Sequence, residues 1–377
     1  MAAEPRSKLI PARLMQMHWL LVLCMSLMAL VGFAMMFSAA GGHFSPWATK
    51  QILRFAFAFG LMVGLAMLPA GTLLRYAYVI YALCLMMLVT VEIAGFIGKG
   101  AKRWVDVGGV NLQPSELMKL AVILALARYY HSAGTQNINR FMLLLPPILI
   151  VLVPAAFILR QPNLGTATIL ISVGAMLCYM AGVRTRYFVI LFVVAVAAAP
   201  VGWHFIHDYE KQRVLTFLHP EDDPLGAGYN ITQSIIAIGS GGLFGKGFLQ
   251  GSQGQLDFLP EKHTDFIFTM IAEEFGFAGC LFVLVLYTVL IGYGIAIALR
   301  CRHLFGSMLA VGVSVLLFIH ILINMMMVMG LIPVVGVPLP LLSYGGSIMI
   351  SMLAGFGLMQ NAYVHRDAHL PRVMGLV

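Results

Sequence analysis

The densest group of reactive side chains lies at 258–268, FLPEKHTDFIF, where Glu261, Lys262, His263, Thr264 and Asp265 precede an apolar run. Pro260 can open a helix here, and Thr264 can cap one that begins near Asp265. A carboxylate in a first helical turn faces the positive end of the helix dipole, which favours its ionised form. Glu261 nearby pushes in the other direction. Asp265 therefore reads either as a charged general base at a membrane surface or as a plain charge complement to a helix end. His263 has neither Ser–His–Asp spacing nor metal-ligand spacing around it, and it reads as a solvated loop residue.

Charges inside apolar segments form a second set. Each costs roughly 2.5–3.5 kcal/mol to insert at a bilayer centre, so each is a functional candidate. Glu116 and Lys119 stand at i and i+3, on one helical face, where they can pair. Two readings stay open: an ion pair that holds helices together, or the lining of a polar cavity that opens outward. Glu273 and Glu274 are adjacent, about 100° apart on a helix, so one is expected to pack or cap inside the bundle and neither to be catalytic. Glu92 is expected to reach the interface. The segment 98–116, GKGAKRWVDVGGVNLQPSE, sets Lys99, Lys102 and Arg103 beside Trp104. The tryptophan suits an interfacial anchor. The cations suit an anionic headgroup or a pyrophosphate, and with Arg160 and Arg213 they would form a basic rim.

Membrane-spanning helices must position these groups. The 377 residues are 60% hydrophobic and only 10% charged, against about 25% charged in soluble domains. Apolar runs recur from end to end with no composition break, predicting an all-α integral membrane protein with about ten transmembrane helices in one polytopic domain over 1–377. The run that contains Glu116 and Lys119 is the weakest of them. The first apolar run follows Arg6, Lys8 and Arg13 and reads as a retained helix rather than a cleaved signal. With the N-terminus in the cytoplasm, inner Lys and Arg outnumber outer ones by about two to one, which places both termini inside. One connection, about 207–264 and between the seventh and eighth helices, then lies outside and is long enough to be functional. Within it, 231–248 combines apolar spacing with a glycine run and reads as an ordered, re-entrant or interfacial segment. The five cysteines sit in or beside apolar runs, which suggests neither disulfides nor a metal cluster. The cations are dispersed, so the net charge of +8 does not point to nucleic acid.

Several blocks together resemble the SEDS family: KRWVDVGGVNLQPSELMK (102–119), QPNLGT (161–166), KQRVLTFLHPEDDPLGAGYNITQS (211–234), AIGSGGLFGKGF (237–248), QLDFLPEKHTDFIF (255–268) with AEEFG (272–276), and NMMMVMGLIPVVGVPLPLLSYGGS (324–347). They run over nearly the whole chain in the family's order, and the spelling of 208–229 is closer to the cell-elongation branch than to the division branch. The resemblance implies a ten-helix peptidoglycan glycosyltransferase of the bacterial cytoplasmic membrane that polymerises lipid II at the outer, periplasmic face. It implies a catalytic role for Asp265 and substrate or cavity roles for Arg103, Glu116 and Lys119. It also implies partnership with a class B penicillin-binding protein transpeptidase in the elongation machinery. The family usually carries aspartate where this chain has Asn163, so a carboxylate role there is not expected.

The chemistry is consistent with one carboxylate. A pyrophosphate-linked sugar already has a good leaving group, which cations can neutralise, so the second carboxyl group of a hydrolase is unnecessary. No cofactor or metal ligand set is evident, and a divalent-cation requirement is not readable from the residues. A lipid II flippase is the rival class, since intramembrane charges suit a translocation path. Against it, no pair of broken helices repeats across two halves.

Overall fold

The computed structural model describes residues 13–94, 96–98, 101–107, 110–134, 141–161, 163–205, 208–219, 227–256 and 258–371. The chain is mostly helical: α1 (Trp19–Ala39), α2 (Ala48–Met67), α3 (Ala70–Ala94), a small sheet, then α4 (Pro114–Ala133), α5 (Phe141–Arg160), α6 (Leu164–Met180) and α7 (Thr185–Phe205). The long connection contains α8 (Asp208–Leu218), α9 (Ala227–Ser240) and a single turn, α10 (Ser252–Gln255). Three helices close the chain: α11 (Ile267–Arg300), α12 (Leu304–Val328) and α13 (Gly346–Val364).

Among the described residues, seven helices are long and apolar enough to cross a membrane: α1, α2, α3, α5, α11, α12 and α13. Helices α6 and α7 are apolar over shorter stretches. Helix α4 lies at the expected place, and its polar residues set it apart from the others: Glu116, Lys119 and Tyr130 are all buried within the bundle. Leu23, Leu30, Phe57, Leu152 and Phe192 project outward with half or more of their surface exposed. In water such a surface would mark an aggregation site; around a bundle of this composition it is the face that meets lipid.

The all-α expectation fits this mostly helical chain, which also carries three short strands. These strands form a three-stranded antiparallel sheet in the order β1 (Phe96–Gly98), β2 (Ala101–Val107), β3 (Val110–Leu112). Phe96 pairs with Trp104 and Val105 with Leu112. Aromatic and β-branched residues on alternate positions favour this pleated form. Strand β3 leads directly into α4, whose Pro114 stands at the first helical position.

Among the described residues, the interior has two apolar clusters. One is built around α1, α2 and α11, the other around α3, α4, α5 and α6, and both draw residues from α12 and α13. Those last two helices therefore form the wall between the halves.

Helix α11 is broken at Gly276, whose φ of 63° and ψ of −157° are non-helical. The break releases backbone groups that would be unsatisfied in lipid. The glycine run after α9 takes them up: Lys246 and Gly247 N–H donate to Glu273 and Glu274 carbonyls at 3.0 Å. In return, Phe277 and Ala278 N–H donate to Gly242 and Leu243 carbonyls at 2.9 and 3.0 Å. The chains approach so closely that a Cβ at Gly245 or Gly276 would collide with the opposing backbone. The 231–248 segment is thus ordered, as its pattern predicts, with the glycines placed where main chain meets main chain.

Candidate active site

Asp265 lies in a run of turns between Pro260 and the first residue of α11, Ile267. It is half-buried, and its Oδ2 faces Gly336 in the connection between α12 and α13, 3.5 Å from where a Cβ there would stand. The helix starts two residues later than the sequence suggests, with Phe266 at its N-cap and no side-chain cap. Thr264 instead donates its hydroxyl to Glu261 Oε2 at 2.7 Å. That bond stabilises the turn ahead of the helix.

The carbonyls of this turn are held one by one from the far end of the chain. Tyr344 N–H donates to His263 O at 2.9 Å, Ser343 Oγ donates to Thr264 O at 2.6 Å, and Asn324 Nδ2 donates to Asp265 O at 2.9 Å. Gln51 of α2 braces the segment that holds this turn: its amide donates to Ser343 O at 3.1 Å and accepts from Gly345 N–H at 3.3 Å. Arg54, one turn further along α2, sits 4.8 Å from the centre of the Tyr344 ring. His263 stacks on Trp47 with ring centres 4.3 Å apart. It is therefore packed and not a solvated loop residue, because Trp47 and Tyr344 both close on it.

Glu116 and Lys119 pair as their spacing predicts, with Lys119 Nζ 2.8 Å from Glu116 Oε1. Their exposures, 6% and 1%, show them locked among α4, α12 and α13. His320 of α12 meets Lys119 Nζ at 2.9 Å, and Ser351 of α13 lies 3.3 Å from Glu116 Oε2. Glu273 and Glu274 are both fully buried, and both carboxylates are occupied. Glu273 binds Lys246 at 2.7 Å and accepts from Gln253 and Gly254 N–H at 3.0 and 3.3 Å; Glu274 accepts from Ser38.

Of the basic rim, Arg160 is mostly exposed and 4.0 Å from Glu92, a spacing worth little in energy. Arg213 is half-buried on α8. The backbone of Lys102 and Arg103 belongs to β2, while their side chains, and all of Lys99, lie outside the described residues. Among the described residues no group of three or more His, Cys, Asp or Glu is placed to hold a metal ion. A cavity of about 690 Å³ opens at the opposite end of α11, lined by His131, Arg302, His303 and Asp367 among others. It is remote from Asp265.

Residues 12–368 match the FtsW/RodA/SpoVE model, described as a cell cycle protein family. The chain belongs to that family. It is 42% identical to the peptidoglycan glycosyltransferase MrdB of Escherichia coli (strain K12) over 354 residues, which cover 92% of this chain and 93% of that one. It is 37% identical to stage V sporulation protein E of Bacillus subtilis over 352 residues, 91% of this chain and 95% of that one. Among solved structures it resembles one described as "Structural coordination of polymerization and crosslinking by a peptidoglycan synthase complex", with a TM-score of 0.80, 31% identity, and 94% of this chain and 99% of that chain covered. The rod shape determining protein RodA of Thermus thermophilus is similar at a TM-score of 0.68 and 29% identity, covering 94% and 98%.

Within this FtsW/RodA/SpoVE fold, Asn163 caps α6 by accepting from Thr166 N–H at 3.3 Å. An N-cap needs only a side-chain oxygen acceptor, so asparagine does here what aspartate would do. The sequence pattern did not single out Gln51, His320, Asn324 or Ser343, and it counted Arg54 only as an outer cation. The signal was present for His320 and Asn324, two polar residues at i and i+4 in an otherwise apolar helix.

Proposed function

We infer that the chain polymerises peptidoglycan glycan strands during cell elongation, with lipid II as substrate and Asp265 as the general base. The carboxylate that carries this reading is half-exposed on a turn whose backbone is fixed at successive carbonyls by Asn324, Ser343 and Tyr344. A base held in this way removes a proton without first having to be ordered.

In the reaction, the acceptor sugar's hydroxyl oxygen forms a bond to the donor's anomeric carbon. The bond from that carbon to the pyrophosphate oxygen breaks, and its electron pair leaves with the lipid pyrophosphate. Asp265 takes the hydroxyl proton, a contribution worth about 10²–10⁴ in rate. Lys102 and Arg103, with Arg160 and Arg213 as the outer part of the rim, neutralise the leaving group. Direct displacement inverts the donor centre and gives β-1,4 strands. Glu116 and Lys119, sealed against each other and His320, serve as a fixed wall of this site.

Ten crossings, both termini in the cytoplasm and the 207–264 connection outside would put Asp265 at the periplasmic surface. That is where a class B penicillin-binding protein transpeptidase would receive the product. A flippase would need its intramembrane charges to line a path, and the burial of Glu116 and Lys119 does not favour that reading.

The test is polymerisation by the purified chain with a class B transpeptidase, supplied with lipid II and read as glycan length. Asp265→Asn should bind lipid II and the partner yet make little or no glycan. Full-length glycan from that variant would overturn Asp265 as the base.

A further inference from the structure

Asn324 is fully buried at the end of α12, and its amide nitrogen donates to two backbone carbonyls, Asp265 O at 2.9 Å and Val337 O at 2.7 Å. Both neighbours are acceptors, so the nitrogen must face them and the orientation of the amide is settled by chemistry. Val337 follows Gly336, the residue that Asp265 Oδ2 faces. One side chain thus ties the main chain beneath the carboxylate to the loop above it.

Ser343 makes the matching bridge one residue earlier. Its hydroxyl donates to Thr264 O at 2.6 Å and accepts from Leu339 N–H at 2.7 Å, in the same loop. Neither side chain reaches the carboxylate itself. Both act on the peptide units that carry it.

We propose that Asn324 and Ser343 are positioning residues for Asp265, a two-residue clamp that sets the distance between the base and the 331–344 loop. The proposal rests on Asp265 being the base. Asn324 stands one turn from His320 on the same face of α12, so the helix that carries the clamp is itself fixed by the buried Glu116–Lys119–His320 cluster. The remaining atom of the amide, Asn324 Oδ1, is buried with no hydrogen-bond partner among the described residues. Anchoring through packing alone would not select an amide here, because an unused acceptor inside the bundle is unfavourable. The donor pair is what the position requires.

A displaced base loses rate and not substrate affinity, since a shift of about 1 Å can lower turnover on the order of 10²-fold. Asn324→Ala, in the full chain with its transpeptidase and lipid II, should lower kcat by about 10- to 100-fold with KM within about twofold. The acid limb of its kcat–pH profile should move, because the carboxylate shifts relative to the start of α11. A purely structural role would reduce the amount of folded enzyme, leaving the KM and the position of that limb unchanged. Ser343→Ala should show the same split, and it carries the test if Asn324→Ala does not survive purification. Asp265→Asn is run alongside. If it polymerises normally, the base assignment fails; if it is inactive while Asn324→Ala and Ser343→Ala keep wild-type kcat and pH profile, the clamp alone is refuted.

Discussion

Lys119 Nζ lies 2.9 Å from His320 Nε2 in the interior of the bundle. The other ring nitrogen of His320 is 2.8 Å from the Leu316 carbonyl, which can only accept, so Nδ1 carries the hydrogen and Nε2 accepts from the ammonium. Lys119 thereby satisfies Glu116 and His320 together. Substituting Lys119→Met would leave Glu116 buried and unpaired, and loss of one partner of a buried pair typically costs about 3–5 kcal/mol. The thermal midpoint of the purified protein should fall clearly, and Glu116→Gln/Lys119→Met should recover most of the loss. Equal destabilisation of the double variant would refute the pairing as the source of stability.

Gly276 and Gly245 should be intolerant of alanine. Both have positive φ, 63° and 78°, and a Cβ on either enters the opposing backbone. Strain of this kind is worth about 1–3 kcal/mol before the collision is counted. Because the two sites touch, their effects should be strongly non-additive in a double-mutant cycle. Melting curves of the two single variants and the double variant decide this; simple additivity would mean the two segments do not act as one unit.

His303, between α11 and α12, should make stability fall in mild acid. Its Nδ1 accepts from Gly306 N–H at 2.9 Å and its Nε2 lies 3.1 Å from His365 O, so the neutral ring with hydrogen on Nε2 caps α12. Burial holds its pKa below the ordinary 6.5, with the bond to His365 partly opposing. A group whose folded value is depressed takes up its proton on unfolding, so its contribution is intact above about pH 6.5 and declines as pH drops through that value. His303→Asn keeps a capping oxygen and should flatten part of the decline between pH 7 and pH 5. An unchanged slope would assign it to other groups.

If Arg103 neutralises the pyrophosphate as proposed, Arg103→Ala should weaken use of lipid II. Arg103→Lys should recover only part of the activity, since an ammonium cannot supply the planar fork. Steady-state polymerisation at varied lipid II reads both variants, and wild-type kinetics from Arg103→Ala would reduce the 96–112 sheet to an interfacial anchor.

Much of the architecture was written in composition and periodicity. Apolar runs near bilayer length locate the long helices, since a span must satisfy its own backbone, and the i, i+3 spacing of Glu116 and Lys119 predicts their pairing. Asp265 stood out because an acidic residue beside a helix start in an apolar chain is rare enough to be read locally. The three strands were less legible, because segments of three to seven residues carry too few alternations to tell a strand from a loop.

Tertiary structure alone decided which distant residues complete the site. Asn324 and Ser343 meet the Asp265 turn from α12 and from the loop after it, and Gln51, 292 positions before Ser343, braces that loop; no local pattern encodes such a meeting. His320 became a partner of Lys119 only when α12 packed against α4, 201 residues apart. In the sequence, Gly245 belonged to a glycine run read as part of an ordered, re-entrant or interfacial segment, and Gly276 was not singled out. Packing brings them together where two stretches of main chain exchange hydrogen bonds across a broken helix. Hydrophobic period and helix-end chemistry act within a few residues, so a sequence displays them directly. Hydrogen bonds between remote segments depend on how whole helices are placed, and only the folded chain fixes that.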